Sequence, residues 1–312
     1  MSSHRLRPTP RLLAVIGVAV SLLPVGCSGD DDAASETSTT TSPTSTTAAT
    51  TTTVAVDQTA PAGANGIKVA DDGSLWIASL ASDVILNVDA TTGQILRRVE
   101  VPAKSGPDDL VLDDDGALFW TGYVSGAIGE VAPDSSGTTV IANIGVGANP
   151  IALRGDGKLI AGLAGAATGL FVIDPVGDPT PQPLADPGNF NSFDITADGQ
   201  LFAPSLDTRS VIELDPDTGE VVRTVAPVNG TPIAARWHDG DVYVLVLADA
   251  AHVYRVDPSA GTVELFGSTG LALADNLAVG DDGTVYVTAF STPEVTVLGA
   301  DGTVERTIQI GG

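Results

Sequence analysis

Six oxygen-bearing side chains stand at the head of one recurring phrase: Asn65, Asp108, Asn149, Asn191, Thr231 and Asp275. Two are acids, three are carboxamides and one is a hydroxyl. Carboxylates and carboxamides are the ligands that calcium takes, roughly six to eight oxygens at about 2.3–2.6 Å. If the fold gathers these positions, Asp108 and Asp275 neutralise the ion and Asn65, Asn149 and Asn191 complete its cage. A metal held this way polarises a carbonyl for hydrolysis or elimination. In that chemistry Asp275 and His252 are the candidate catalytic groups. The same residue types also shape turns by bonding their own backbone, so the six heads are open to either reading. Gly-x-Ser-x-Gly, His-Glu-x-x-His and phosphate-loop signatures do not occur.

The elements that would position the six heads are legible in the repeat itself. "NGIKVADDGS", "DDLVLDDDGA", "NPIALRGDGK", "NSFDITADGQ", "TPIAARWHDGD" and "DNLAVGDDGT" share a polar head, a short apolar run and a closing Asp-Gly. Their glycines (Gly73, Gly116, Gly157, Gly199, Gly240 and Gly283) recur every 41 to 43 residues. A period this even in the forties marks a propeller or a helical array. β-rich runs such as "SLWIAS" and "TVYVTAF" follow each Asp-Gly. A third run, a second turn such as "DATTG" or "DPDTG", and a fourth run complete the unit. Short β-rich segments between Asp, Gly and Pro turns are hairpins. No stretch carries a helical period. Each unit therefore reads as a four-stranded antiparallel sheet, apolar on both faces, and six of them bury those faces radially. The predicted fold is all-β, a six-bladed β-propeller over residues 61–312. Its inner strands line a channel, and the polar heads ring one mouth. Ring closure needs no borrowed strand, because "TVERTIQI" gives the last blade its own fourth strand, though "TTVAV" could add an edge strand.

"NGIKVADDGSLWIAS" and "DNLAVGDDGTVYVTAF" resemble the propellers of the gluconolactonase and senescence-marker-protein family. They are also similar to NHL repeats and to virginiamycin B lyase. "VDATTGQILRRVEVP" resembles the YVTN repeats of bacterial surface proteins. The resemblance implies a divalent ion at the channel mouth, held by an acid on the first blade, Asn on the middle blades and Asp on the fifth. Asn149 and Asn191 fall on the Asn positions. Asn65 replaces the acid and Thr231 replaces the Asp, which puts a lactonase reaction in question. Asp275-Asn276 resembles the Asp-Asn pair of paraoxonase-like propellers, so the acid has shifted to another blade.

The N-terminus reads as an address. Arg5, Arg7 and Arg11 precede the apolar run "LLAVIGVAVSLLPV" and Gly26-Cys27, the layout of a secretory signal. The segment resembles the lipobox of bacterial lipoproteins, with Pro24 where Leu is usual, so residues 1–27 are expected to end in a lipidated Cys27. Residues 28–60, rich in Thr and Ser, cannot bury enough apolar surface to fold and read as a tether. The chain carries 39 acidic and 14 basic residues, a net charge of −25, which argues against nucleic acid as a partner. The expectation is a monomeric, extracytoplasmic propeller anchored to the bacterial membrane by an N-terminal lipid. At its mouth it would bind a small molecule, a carbohydrate or a protein, with calcium as cofactor. The alternative is a calcium-dependent lactone or ester hydrolase, or a lyase.

Overall fold

A computed structural model describes residues 55–311. Cys27, the signal segment and the tether as far as residue 54 lie outside the described residues. The folded body is built on the two turns legible in the repeat. In the Asp-Gly turn, the glycine has φ between +79° and +93° in all six copies, a region where a Cβ is strained. The preceding acid locks the turn. Asp72, Asp156 and Asp282 each accept the backbone N–H two residues on, at 2.9, 3.2 and 2.9 Å. In the second turn Asp89, Asp215 and Asp257 each accept two backbone N–H groups. These six acids are therefore turn chemistry.

Between the turns run twenty-four strands in six antiparallel sheets. The first blade holds β1 Ile67–Val69, β2 Leu75–Ser79, β3 Val84–Val88 and β4 Ile95–Glu100. The second holds β5 Pro107–Leu112, β6 Leu118–Gly122, β7 Ala127–Val131 and β8 Thr139–Asn143. The third holds β9 Ala148–Leu153, β10 Leu159–Leu163, β11 Gly169–Ile173 and the short β12 Gln182–Pro183. The fourth holds β13 Asp194–Ile195, β14 Leu201–Ser205, β15 Ser210–Leu214 and β16 Val221–Pro227. The fifth holds β17 Thr231–His238, β18 Asp241–Leu247, β19 Ala251–Asp257 and β20 Thr262–Ser268. The sixth holds β21 Ala274–Val279, β22 Val285–Ala289, β23 Glu294–Leu298 and β24 Val304–Gln309.

The cores lie between blades. Leu110, Trp120 and Ile85 pack blade 2 on blade 1. Equivalent clusters join blades 2 and 3, 3 and 4, 4 and 5, and 5 and 6. The sixth cluster sets Ile67 and Leu86 against Val295, Val297 and Ile308, so the last blade closes on the first. Among the described residues, closure uses no borrowed strand. The segment before blade 1 is clasped to that blade: Gln58 Nε2 donates to the Ile95 carbonyl (2.8 Å), and Gln58 Oε1 accepts from the Ile95 N–H (2.9 Å).

At the axis the inner strands approach closely. A Cβ on Gly66 would stand 2.2 Å from the Asp108 carbonyl oxygen, so only glycine fits beside Asn65 there. The inner strand of blade 4 is reduced to β13. Upstream of it Ser192 forms a parallel bridge to Ala234 of blade 5. This irregularity brings Asn191 and Ser192 to the axis without a long strand.

Candidate functional site

Five of the six heads meet at the mouth. Asn149 Nδ2 donates to Asp108 Oδ2 at 2.7 Å and also bonds the Asn191 carboxamide oxygen. Asn65 and Asn191 lie close enough to Asp275, and Asn65 close enough to Asp108, to pull those carboxyls down. Asn65, Asp108, Asn149, Asn191 and Asp275 thus gather at one mouth, with Asn149 bonded between Asp108 and Asn191. Asn65 Oδ1 is fixed by the Leu80 N–H at 3.1 Å. Thr231 does not join. It opens β17 opposite Leu247, and no hydrogen bond links its side chain to the ring.

Asn65, Asp108 and Asn149 are buried and Asn191 and Asp275 half-buried, and that sets the electrostatics of the ring. Burial pushes the Asp108 carboxyl well above the usual range, and the charges of Asp275 and Asp109 push it further. Asp275 is raised to about 7, by burial first and by Asp109 second. Hydrogen bonds from the asparagines pull both down and offset only part of this. One buried and one half-buried carboxylate sharing one ring, with no cationic side chain among the described residues bonded to either, favour a proton or a metal ion among them.

Beneath the ring lies a second polar tier that the sequence reading did not single out. Asp109, fully buried, accepts from Arg236 Nη2 (3.1 Å), Ser192 Oγ (2.7 Å), Asn276 Nδ2 (3.1 Å) and the Leu110 N–H (3.0 Å). Arg236 also donates to Asn276 Oδ1 (2.8 Å) and to the Phe193 carbonyl (2.7 Å). Its Nε is buried with no partner. Blades 2, 4, 5 and 6 are tied together at this one carboxylate. Asn276 therefore serves the lower tier, while Asp275 serves the ring. The signal was present in the Asp108-Asp109 doublet and in Arg236, a cation in an otherwise apolar strand run.

The remaining candidate, His252, stands apart. His252 on β19 is held by Ser268 Oγ (2.7 Å) and Asp249 Oδ1 (3.0 Å) and has no bond to the ring. His238, on the blade-5 hairpin, packs edge-on against Tyr243. Tyr123 lies beside the ring: burial and the Asp108 charge push its phenol up. Arg209 is exposed, with φ 53°. Phe290 is half-buried, with its carbonyl against Gly63.

The donor set of the ring suits calcium in chemistry. It offers two carboxylates, which supply charge, and three carboxamides, whose oxygens are neutral ligands. Among the described residues no three His, Cys, Asp or Glu side chains cluster as a metal site; the ring supplies only two such groups and completes itself with Asn.

No family model matches the chain, and no curated protein matches it. Solved structures match over most of its length. A virginiamycin B lyase from Staphylococcus aureus, a catalytically inactive form with quinupristin, is 15% identical. The match covers 80% of this chain and 84% of that one, with a TM-score of 0.60. A chain of a nidogen–laminin complex is 16% identical over 76% of this chain and 93% of that one, with a TM-score of 0.62. A gluconolactonase from Xanthomonas campestris is 19% identical over 59% and 69%, with a TM-score of 0.51. In fold, the chain is a six-bladed β-propeller, similar to those of these structures. That fold carries lyases, lactonases and binding modules.

Proposed function

We propose that this propeller is an extracytoplasmic, lipid-anchored binding module whose channel mouth holds calcium and presents it to an oxygen-bearing ligand or partner. One observation carries the reading. Five oxygen-donor side chains converge at one mouth, three of them buried and two half-buried, with two carboxylates and, among the described residues, no cationic side chain bonded to them. Asp108 and Asp275 would supply the charge, and Asn65, Asn149 and Asn191 the neutral oxygens. Bound calcium would provide a Lewis-acidic point to which a carboxylate, carbonyl or polyol oxygen attaches. The Arg236–Asp109 tier would act as the floor that keeps the ring in register. Cys27 would tether the domain to the membrane, with the Thr-rich tract as spacer.

The calcium-dependent hydrolase or lyase reading draws on a different observation. Asp275 is held at about 7, close to where a general base operates best. Against it, neither described imidazole bonds the ring, and an ion would lower Asp275 by its own charge. Binding is therefore preferred. Metal analysis of the purified propeller, followed by a lactone and ester screen of the calcium-loaded protein, tests both. Bound calcium without turnover supports the binding module. Turnover lost in Asp275→Asn would establish the hydrolase instead, and absence of calcium would remove both.

A further inference from the structure

The opposite mouth of the channel holds a separate recess. It is a cavity of about 340 Å³, within the range of small-ligand pockets. Three chemistries are layered along it. At the inner end stands Lys68, whose side chain is 16% exposed. Its one ionic partner is Asp194 Oδ1 at 3.5 Å, and the other Asp194 oxygen is taken by the Trp237 N–H at 3.0 Å. The ammonium thus keeps N–H groups free for an acceptor. The walls are apolar, from Val69, Val111, Leu153 and Ile195. The lip is acidic, from Asp71, Asp113 and Asp114. Asp113 spends one oxygen on the Asp115 and Ala117 N–H groups, while no hydrogen bond engages the exposed carboxylates of Asp71 and Asp114. Asp109 is felt by Lys68 on one side and by both ring acids on the other. The Arg236–Asp109 tier therefore stands between the recess and the ring.

The order of these layers restricts what fits. A simple anion must pass a carboxylate lip, and a simple cation must end on an ammonium. A neutral apolar molecule leaves the Lys68 donors unmet. A chain with an oxygen acceptor at one end, an apolar middle and an ammonium at the other satisfies all three layers. We propose that this recess is a second ligand site, independent of the ring, that takes ω-amino-acid-like molecules with the carboxylate on Lys68 and the ammonium at the Asp71–Asp114 lip. Burial, and Arg236 after it, lower the Lys68 ammonium, and an incoming carboxylate would offset that loss.

The test uses three probes of equal length on the full mature chain: 6-aminohexanoate, hexylamine and hexanoate, titrated by calorimetry in chelator. The expected order is 6-aminohexanoate tightest, by about tenfold over hexylamine, the worth of one partly buried ion pair of about 1.4 kcal/mol, with hexanoate weakest. Lys68→Met should erase the preference for 6-aminohexanoate over hexylamine. Asp114→Asn, an exposed change that leaves melting unaltered, should weaken both amines and leave hexanoate unchanged. Leu153→Trp, which fills the cavity, should abolish binding, with circular dichroism confirming the fold. Asp108→Asn should change none of these affinities. Hexanoate binding as tightly as the amino acid, binding that survives Leu153→Trp, or no binding of any probe would overturn the proposal.

Discussion

Replacing Asp275 with Asn should stabilise the calcium-free protein at high pH. The Asp275 carboxyl sits at about 7 in the fold against an ordinary 3.8. At ~1.36 kcal/mol per pH unit, that gap corresponds to a difference on the order of 4 kcal/mol between protonation states. The sign follows from linkage. The folded state keeps this proton up to about 7, whereas the unfolded chain releases it near 3.8. The contribution of this group to stability is therefore full below pH 4 and lost as pH rises to 7. Wild type in chelator should weaken across that interval, and Asp275→Asn, which cannot ionise, should not. For a domain of this size 1 kcal/mol moves Tm by roughly 2–4 °C, so at pH 8 the variant should melt roughly 8–16 °C above wild type. At pH 4.5 the gap should shrink to about 1 kcal/mol, roughly 2–4 °C. Asp108 is raised by the same burial and by Asp275 itself, so part of the relief comes through Asp108. Thermal circular dichroism from pH 4.5 to 8 in chelator reads all of this. A wild type equally stable at both ends of that range would refute the claim that the ring acids are strained by burial and by each other.

Other expectations follow from the same geometry. Arg236→Met strands the fully buried Asp109 and should cost about 3–5 kcal/mol; pairing it with Asp109→Asn should recover much of that in denaturant unfolding. Gly66→Ala puts a methyl against the Asp108 carbonyl oxygen and should both lower Tm and weaken cation binding, read by melting with and without calcium. Cys27→Ser should move the protein from the membrane fraction to the soluble one, since one residue would carry the lipid; fractionation checks it.

The fold was legible because its punctuation is local. Asp72-Gly73 and Asp282-Gly283 announce hairpins through residues that only such turns require, and their even spacing counts the blades. Five of the ring residues were legible for a related reason: each heads a copy of the same phrase, so one architecture carries them to one place. Thr231 shows the limit of that inference. It occupies the same position in the phrase yet opens the longest inner strand and faces Leu247. The second tier was hidden because it depends on partners 40 to 167 residues apart, such as Arg236 with Asn276 and Asn276 with Asp109. No local pattern reports that a buried Asp has found its Arg. The recess at Lys68 was hidden too, because a lone lysine in a strand reads as an exposed one until the channel is built around it.

The central claim is that the ring Asn65–Asp108–Asn149–Asn191–Asp275 is a calcium site. Calcium titration of chelator-treated protein, followed by melting, tests it most directly. The wild type should bind one ion and, at about a hundred times the dissociation constant, gain roughly 2.7 kcal/mol. Asp108→Asn with Asp275→Asn should lose both the heat and the shift. A wild-type protein that gives no heat and melts identically in calcium and in chelator would contradict the account.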